Sequence, residues 1–305
     1  MLIADGSDFA KKGQHAVGGK RQSCGELGKI AHGQAGVFLA YARPHGATVL
    51  DRRLYLPQAW LEDPAFAERR AKYRLPAEVT FQTRNELTLA MVQASVASQT
   101  LRCRWFLADE AFGRDTGLLD AMDGVGLWYM VEVSWETTLW LDEGATTTPQ
   151  TLFRTLAGST WRRHLIGDGT KGPRIAEAQV PRVRAQRDAQ PGPEVRLILR
   201  LDPESGEQKA FRSNAPTTVT AAQIVTVTGL RWPGEQIFEG AKQELGMGDD
   251  EVRSWPGWHH HMPLVTLAHV FLVRLQHRLK KSPDADAAAG LPVTQRPVAT
   301  PSAYA

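Results

Sequence analysis

At 305 residues the chain has room for one sizeable core, and its 42% hydrophobic and 23% charged content excludes a disordered or fibrous protein. A net charge of +3 is too small to demand a nucleic-acid partner by itself, although the charge is unevenly spread. The two cysteines, Cys24 and Cys103, sit in no paired motif, and no apolar run could span a bilayer, which excludes a disulfide scaffold, a cysteine zinc site and a membrane partner and points to a cytoplasmic protein.

In chain order, the opening "MLIADGSDF" is apolar up to Gly6-Ser7 and predicts a buried strand ending near Asp5. Residues 10–32 are rich in glycine and predict a long basic loop, with Lys11, Lys12, Lys20, Arg21 and Lys29 against Glu26 alone. "QAGVFLAYAR" and "ATVLDRRLYL" are β-rich runs separated by a turn at "PHG", so the first three strands form a meander. Residues 57–80 hold short helical fragments interrupted by Pro57, Pro64 and Pro76, and 85–98 have helical composition. "CRWFLADE" (103–110) reads as a strand reaching an acid pair, and "LWYMVEV" (127–133) as another buried strand. Strand–helix–strand in this order implies a parallel crossover and an α/β core over 1–133.

From 134 to 222 the character changes to a β-rich basic insertion. Residues 151–200 alone carry ten Lys/Arg against four acids. "VRLILRL" and "TVTAAQIVTVTGL" both read as β-like pieces there, and Trp161, beside Arg162 and Arg163, as a packing residue. Residues 223–281 return to the core. "LRWPGEQIFEGAKQEL" (230–245) is an amphipathic helix, and "MPLVTLAHVFLVRLQHRLKK" (262–281) a second, whose stripe Leu264, Leu267, Phe271 and Leu275 is assigned to core packing. The histidines of "WHHHM" (258–262) point different ways on any regular element and lack further ligands at zinc spacing. Residues 282–305, rich in Ala, Pro, Ser and Thr, predict a disordered tail.

Three carboxylates occupy comparable places. Asp5 ends the first strand, Asp109 ends the strand after the first long helix, and Glu235 lies early in the helix after the insertion. Hard oxygen ligands gathered from separate elements suit a divalent cation such as Mg²⁺. Asp8 competes with Asp5 as the first acid, but an odd spacing sends it to the other face of a continued strand. On the last helix Arg231, Glu235 and Lys242, with Phe238 and Leu245, fall on much the same side.

These segments together resemble the catalytic part of a bacterial insertion-sequence DDE transposase. The likeness is to the group with a Tyr-x2-Arg-x3-Glu-x6-Lys signature, whose last three members match Arg231-x3-Glu235-x6-Lys242. "IADGSDFAKKG" resembles the first catalytic strand and "RWFLADEAFGRD" the second. The likeness continues through "CGELGKIAHGQAGVFLAYARPHGATVLDRRLYLP" and "GMGDDEVRSWPGWHHHMPLVTLAHVFLVRL".

The resemblance implies an α/β fold with an RNase H-like core, a mixed sheet flanked by helices, and the β-rich insertion placed before the glutamate-bearing helix. It implies Asp5, Asp109 and Glu235 as catalytic residues holding two Mg²⁺ ions, for which Mn²⁺ could substitute. Transposon ends and target DNA are the implied partners, a homo-oligomer on DNA is allowed, and the location is cytoplasmic and nucleoid-associated. Arg231 and Lys242 would contact DNA phosphates, and Lys11 and Lys12 of the basic loop join them. The activity implied is metal-dependent strand cleavage and strand transfer, the alternatives being an inactive DNA-binding remnant and a stand-alone nuclease of the same fold.

Three departures stand out. The signature's tyrosine position is Thr228, Pro233-Gly234 precedes the glutamate, and the first catalytic strand begins at residue 2, which suggests an N-terminally truncated copy.

Overall fold

In the computed structural model, which describes residues 1–280 apart from 14, 25–27, 44–45, 143, 159–160, 170–171 and 231, the first strand, β1, spans Leu2–Ala10. The expected tail at 282–305 lies outside the described residues. Side chains alternate along a strand, so Leu2 and Ala4 face one apolar layer while Ile3 and Phe9 face another. β1 pairs antiparallel with β3 (Lys29–Arg43), and β3 with β4 (Gly46–Tyr55), which makes the expected meander. The stretch 10–32 is not loop throughout. Lys20–Cys24 forms β2, antiparallel to the start of β3, and its exposed Lys20 and Arg21 leave no apolar alternation to reveal it.

Proline-bounded α1 (Gln58–Glu62) and α2 (Ala67–Lys72) follow; Trp60 is buried and its indole N–H donates to the Gly19 carbonyl at 3.0 Å. Next, α3 (Arg84–Ala97) starts at a reciprocal cap between Thr83 and Glu86. Its Leu87, Met91 and Val92 pack in the layer of Leu2 and Ala4. Then come β5 (Trp105–Ala108), α4 (Glu110–Gly113), α5 (Thr116–Gly124) and β6 (Trp128–Glu132). β5 is parallel to both β1 and β6, and the crossover helices α3 and α5 pack in one layer.

The β-rich stretch contains β7 (Leu139–Trp140), β8 (Thr146–Thr147), α6 (Pro149–Thr155), β9 (Arg162–Gly169), β10 (Gly172–Gln179), β11 (Arg182–Arg187), β12 (Gln190–Leu201) and β13 (Gln208–Ser213). β13 lies antiparallel on β6, so these strands extend the core sheet. The order runs β2–β3–β1–β5–β6–β13–β12–β11–β7–β8, with β4 also on β3, and with β10 on β12 and β9 on β10. Trp161 packs edge-on against Phe153 at 4.9 Å and donates to the Leu156 carbonyl, a packing residue as expected.

Two expectations are corrected here. "TVTAAQIVTVTGL" is not β-like: Ala221–Gly229 forms α7. Its β-branched residues favour a strand locally, but a Thr220–Gln223 capping box starts the helix and burial of Ile224, Val225 and Val227 holds it. After α8 (Trp232–Glu244), the last helix, α9, runs Trp255–Lys280 and begins before the expected start. Its core side is Trp258, Met262 and Val265, whereas Leu264, Leu267, Phe271 and Leu275 are 40–64% exposed and do not pack in the core. Two apolar stripes lie on this helix, and periodicity alone does not tell which one the sheet receives. α7, α8 and α9 together cover the face carrying Ile3 and Phe9. No helix among the described residues is long and apolar enough to cross a membrane.

The end of α7 sits hard against β9. A Cβ added to Gly229 would lie 2.1 Å from the Ile166 carbonyl oxygen, and the Thr226 hydroxyl donates to Leu165 O at 3.0 Å. In an open helix Gly→Ala stabilises by about 1 kcal/mol. Here Gly229→Ala is expected to destabilise by about 1–3 kcal/mol in urea unfolding, because the clash is with backbone. A raised midpoint would contradict this packing.

Candidate active site

Strand register brings the first two acids together. Leu2 and Ile3 of β1 pair with Phe106 and Leu107 of β5, and the same offset carried two residues on sets Asp5 beside Asp109. Both continue the face of Ile3 and Leu107, the side that α8 and α9 cover. Neighbouring Cα atoms across a parallel pair are about 4.8 Å apart.

Each carboxylate is oriented locally. Asp5 Oδ1 accepts from the Gly6 amide at 2.8 Å. Asp109 is the N-cap of α4, where its Oδ1 accepts from the Ala111 and Phe112 amides at 2.9 and 3.3 Å. The cap is pressed towards the sheet: a Cβ on Gly113 would come within 2.6 Å of Glu132 O, so only glycine allows that approach. Asp8 lies on the opposite face, 3.6 Å from an Arg84 guanidinium nitrogen and 3.3 Å from the Gln22 amide nitrogen.

The third acid arrives on α8. Phe238 stacks edge-on against Phe38 at 5.4 Å, and Phe38 is the cross-strand partner of Asp5. Glu235 precedes Phe238 by three residues, so the backbone places it about one turn away on the same side of the helix. Arg231 lies outside the described residues. Lys242 is in the last turn of α8, partly exposed. Thr228, at the signature's tyrosine position, is buried, its hydroxyl donating to Val225 O and facing Arg200 Nη1 at 3.2 Å.

Two hard carboxylates side by side fit a divalent ion such as Mg²⁺ better than a soft metal. Among the described residues, no group of three His, Cys, Asp or Glu side chains is assembled as a metal site. The histidines of α9 diverge as expected: His259 bonds Trp255 O and His261 bonds Gly246 O.

The basic loop divides. Lys12 is 95% exposed, 3.8 Å from Glu251, whereas Lys11 is 5% exposed. The Lys11 ammonium donates to the Asp250 and Val252 carbonyls and lies 2.9 Å from Asp250 Oδ2 as an ion pair. Burial pushes the Lys11 pKa below its ordinary value, and Asp250 opposes the shift. Lys11 is therefore withdrawn as a phosphate contact, because its charge is used inside the protein. A cavity of about 230 Å³ beside this pair, lined also by His15 and Arg253, lies past Ala10 rather than at the acids.

Sequence reasoning passed over Glu132. The β5–β6 register ends at Ala108 opposite Val131, and one residue on it sets Glu132 beside Asp109 on the same face. The signal was present, an acid closing a parallel strand, but it was read only for Asp5 and Asp109.

Comparison with known proteins finds that residues 1–190 match the family described as DDE superfamily endonuclease. No curated protein matches the chain. Glu235 and the helices around it lie beyond the matched residues.

Removing one partner of a buried ion pair typically costs about 3–5 kcal/mol. Lys11→Met is accordingly expected to lower the unfolding midpoint sharply while leaving the salt dependence of DNA binding as in the parent. A variant of normal stability with weakened DNA binding would restore Lys11 to the DNA surface.

Proposed function

Because the chain belongs to the DDE superfamily endonucleases, we propose that it is the catalytic part of an insertion-sequence transposase, cutting and joining DNA with Asp5, Asp109 and Glu235. The observation that carries this reading is the in-register placement of Asp5 and Asp109 on one face, beneath the helix that bears Glu235. An RNase H-like core is supported by the antiparallel meander β4–β3–β1 continuing into parallel β5 and β6. The division into a core over 1–133 and 223–281 with a β-rich stretch at 134–222 is part of the same proposal, with the qualification that its strands continue the core sheet.

In this reading Asp5, Asp109 and Glu235 hold two Mg²⁺ ions. When bound, such ions lower the pKa of an attacking hydroxyl and stabilise the leaving oxygen. The protein's own part is positioning, since phosphoryl transfer depends on placement and charge more than on covalent protein chemistry. Backbone amides aim Asp5 and Asp109 through their Oδ1 atoms, and packing of Phe238 on Phe38 fixes the helix that carries Glu235. Lys242, Arg231 and Lys12 supply phosphate contacts beside the acids. Asp5 is the first acid rather than Asp8, because Asp8 faces α3 and Arg84. A cytoplasmic, nucleoid-associated protein acting as an oligomer on DNA follows from this function.

A stand-alone nuclease would use the same acids, and dependence on element-end sequence separates the two. Asp5→Asn, Asp109→Asn and Glu235→Gln are each expected to lower Mg²⁺-dependent nicking by on the order of 10²–10³-fold, the scale seen when a preorganised charge-stabilising group is lost. Retention of nicking by any one removes that residue from the site. Lys242→Ala is expected to leave nicking at saturating DNA nearly intact and to reduce the slope of log affinity against log salt by about 1. An unchanged slope would mean that Lys242 does not meet a phosphate.

A further inference from the structure

We infer that Glu132 is a positioning residue of the same site, strengthening cation binding at Asp109 without being one of its ligands; the inference rests on the catalytic reading of Asp5 and Asp109. Three parallel strands end in carboxylates at one level. Asp5 neighbours Asp109 by the β1–β5 register and Asp109 neighbours Glu132 by the β5–β6 register. All three continue the face that holds Ile3, Leu107 and Met130. Adjacent strands lie about 4.8 Å apart, so Glu132 is roughly one strand from Asp109 and two from Asp5.

Its surroundings distinguish Glu132 from a sheet-stabilising acid. It is 24% exposed, with Lys209 Nζ at 3.9 Å, the outer limit of an ion pair. Lys209 is shared with Glu207, which is nearer at 3.5 Å. Two acids thus draw on one ammonium, and the charge of Glu132 is only partly met by it. Beside it, Asp109 Oδ1 is engaged by two amides of α4. A cation at Asp109 would therefore meet in Glu132 a second negative charge on the same face, able to accept hydrogen bonds from the hydration shell that Mg²⁺ usually keeps. Partners of this outer kind typically change metal affinity by about 10–100-fold.

The test is Mn²⁺ binding by the full chain, followed by the electron-spin-resonance signal of the free ion, with thermal unfolding recorded in parallel. Glu132→Gln is expected to weaken binding by about 10-fold. Lys209→Met keeps the carboxylate and removes the competing cation, and is expected to bind as tightly as the parent or more so. If both variants lose stability and neither changes Mn²⁺ affinity, Glu132 is only half of a structural ion pair and the inference is overturned. If Asp109→Asn weakens binding and Glu132→Gln does not, this inference falls and the catalytic reading stands. If the parent, Asp5→Asn and Asp109→Asn all bind alike, the catalytic reading fails and takes this one with it. Should Glu132→Gln not fold, Glu132→Asp shortens the reach by one methylene and is expected to weaken binding in the same direction, an unchanged affinity again overturning the inference.

Discussion

The register of three parallel strands decides the geometry of the candidate site. Side chains alternate with period two, so a slip of one residue would turn a strand-end acid to the opposite face. At the other end of the same strands, Trp105 of β5 and Trp128 of β6 are register partners on that face, ring to ring at 5.4 Å in a T-shaped contact. Such a pair contributes about 0.5–1.5 kcal/mol beyond its buried area. Bulk at one end of β5 and β6 thereby fixes alignment at the other, where Asp109 and Glu132 emerge. The apolar run Trp105–Ala108 has no residue to spare between the ring and the acid, since all four positions are buried.

A second constraint brings α8 to those strand ends through the far part of the sheet. Arg200 of β12 lies over the Phe211 ring and donates to Thr228 O, close to the end of α7. Gly229 abuts the β9 backbone, and Phe238 then meets Phe38 across from Asp5. Arg200 and Thr228 are both buried, so neither can relax into water to take up a shift. The β-rich stretch is therefore part of the framework that sets the place of Glu235. That burial also accounts for threonine at the signature's tyrosine position: a ring there would have to displace the Arg200 contact.

Much of this was legible in the sequence because local pattern and tertiary environment agree. β1 stops being apolar where Asp5 emerges, and the run before Asp109 is uniformly buried, so strand and acid could be read together. Agreement fails elsewhere for identifiable reasons. In α7 the β-branched run Ile224–Thr228 argues for a strand, and the contrary signals are a cap and burial against a distant strand. On α9 either of two apolar stripes satisfies helical period, and only docking onto β4 and α8 selects Trp258, Met262 and Val265. Lys11 and Lys12 are identical as letters, yet their environments differ because Asp250, more than two hundred residues on, reaches only one of them. Glu132 was hidden by its neighbour relation, since nothing near it in sequence names Asp109.

A row of three carboxylates is unfavourable in itself. At a separation of about 5 Å and an effective dielectric of 20, two full charges repel by on the order of 3 kcal/mol. Each acid accordingly has a compensator drawn from its own surroundings: the Gly6 amide for Asp5, two amides of α4 for Asp109, and a share of Lys209 for Glu132. These are local and partial, and none answers the repulsion between neighbours. A divalent cation would answer it for the whole row at once, which is why such a row favours binding one. Apolar layers on both faces of β1, β5 and β6 make this arrangement tenable, because they hold the strands in register against the repulsion. The framework, rather than any attraction among the acids, keeps the row assembled for the ion it would bind.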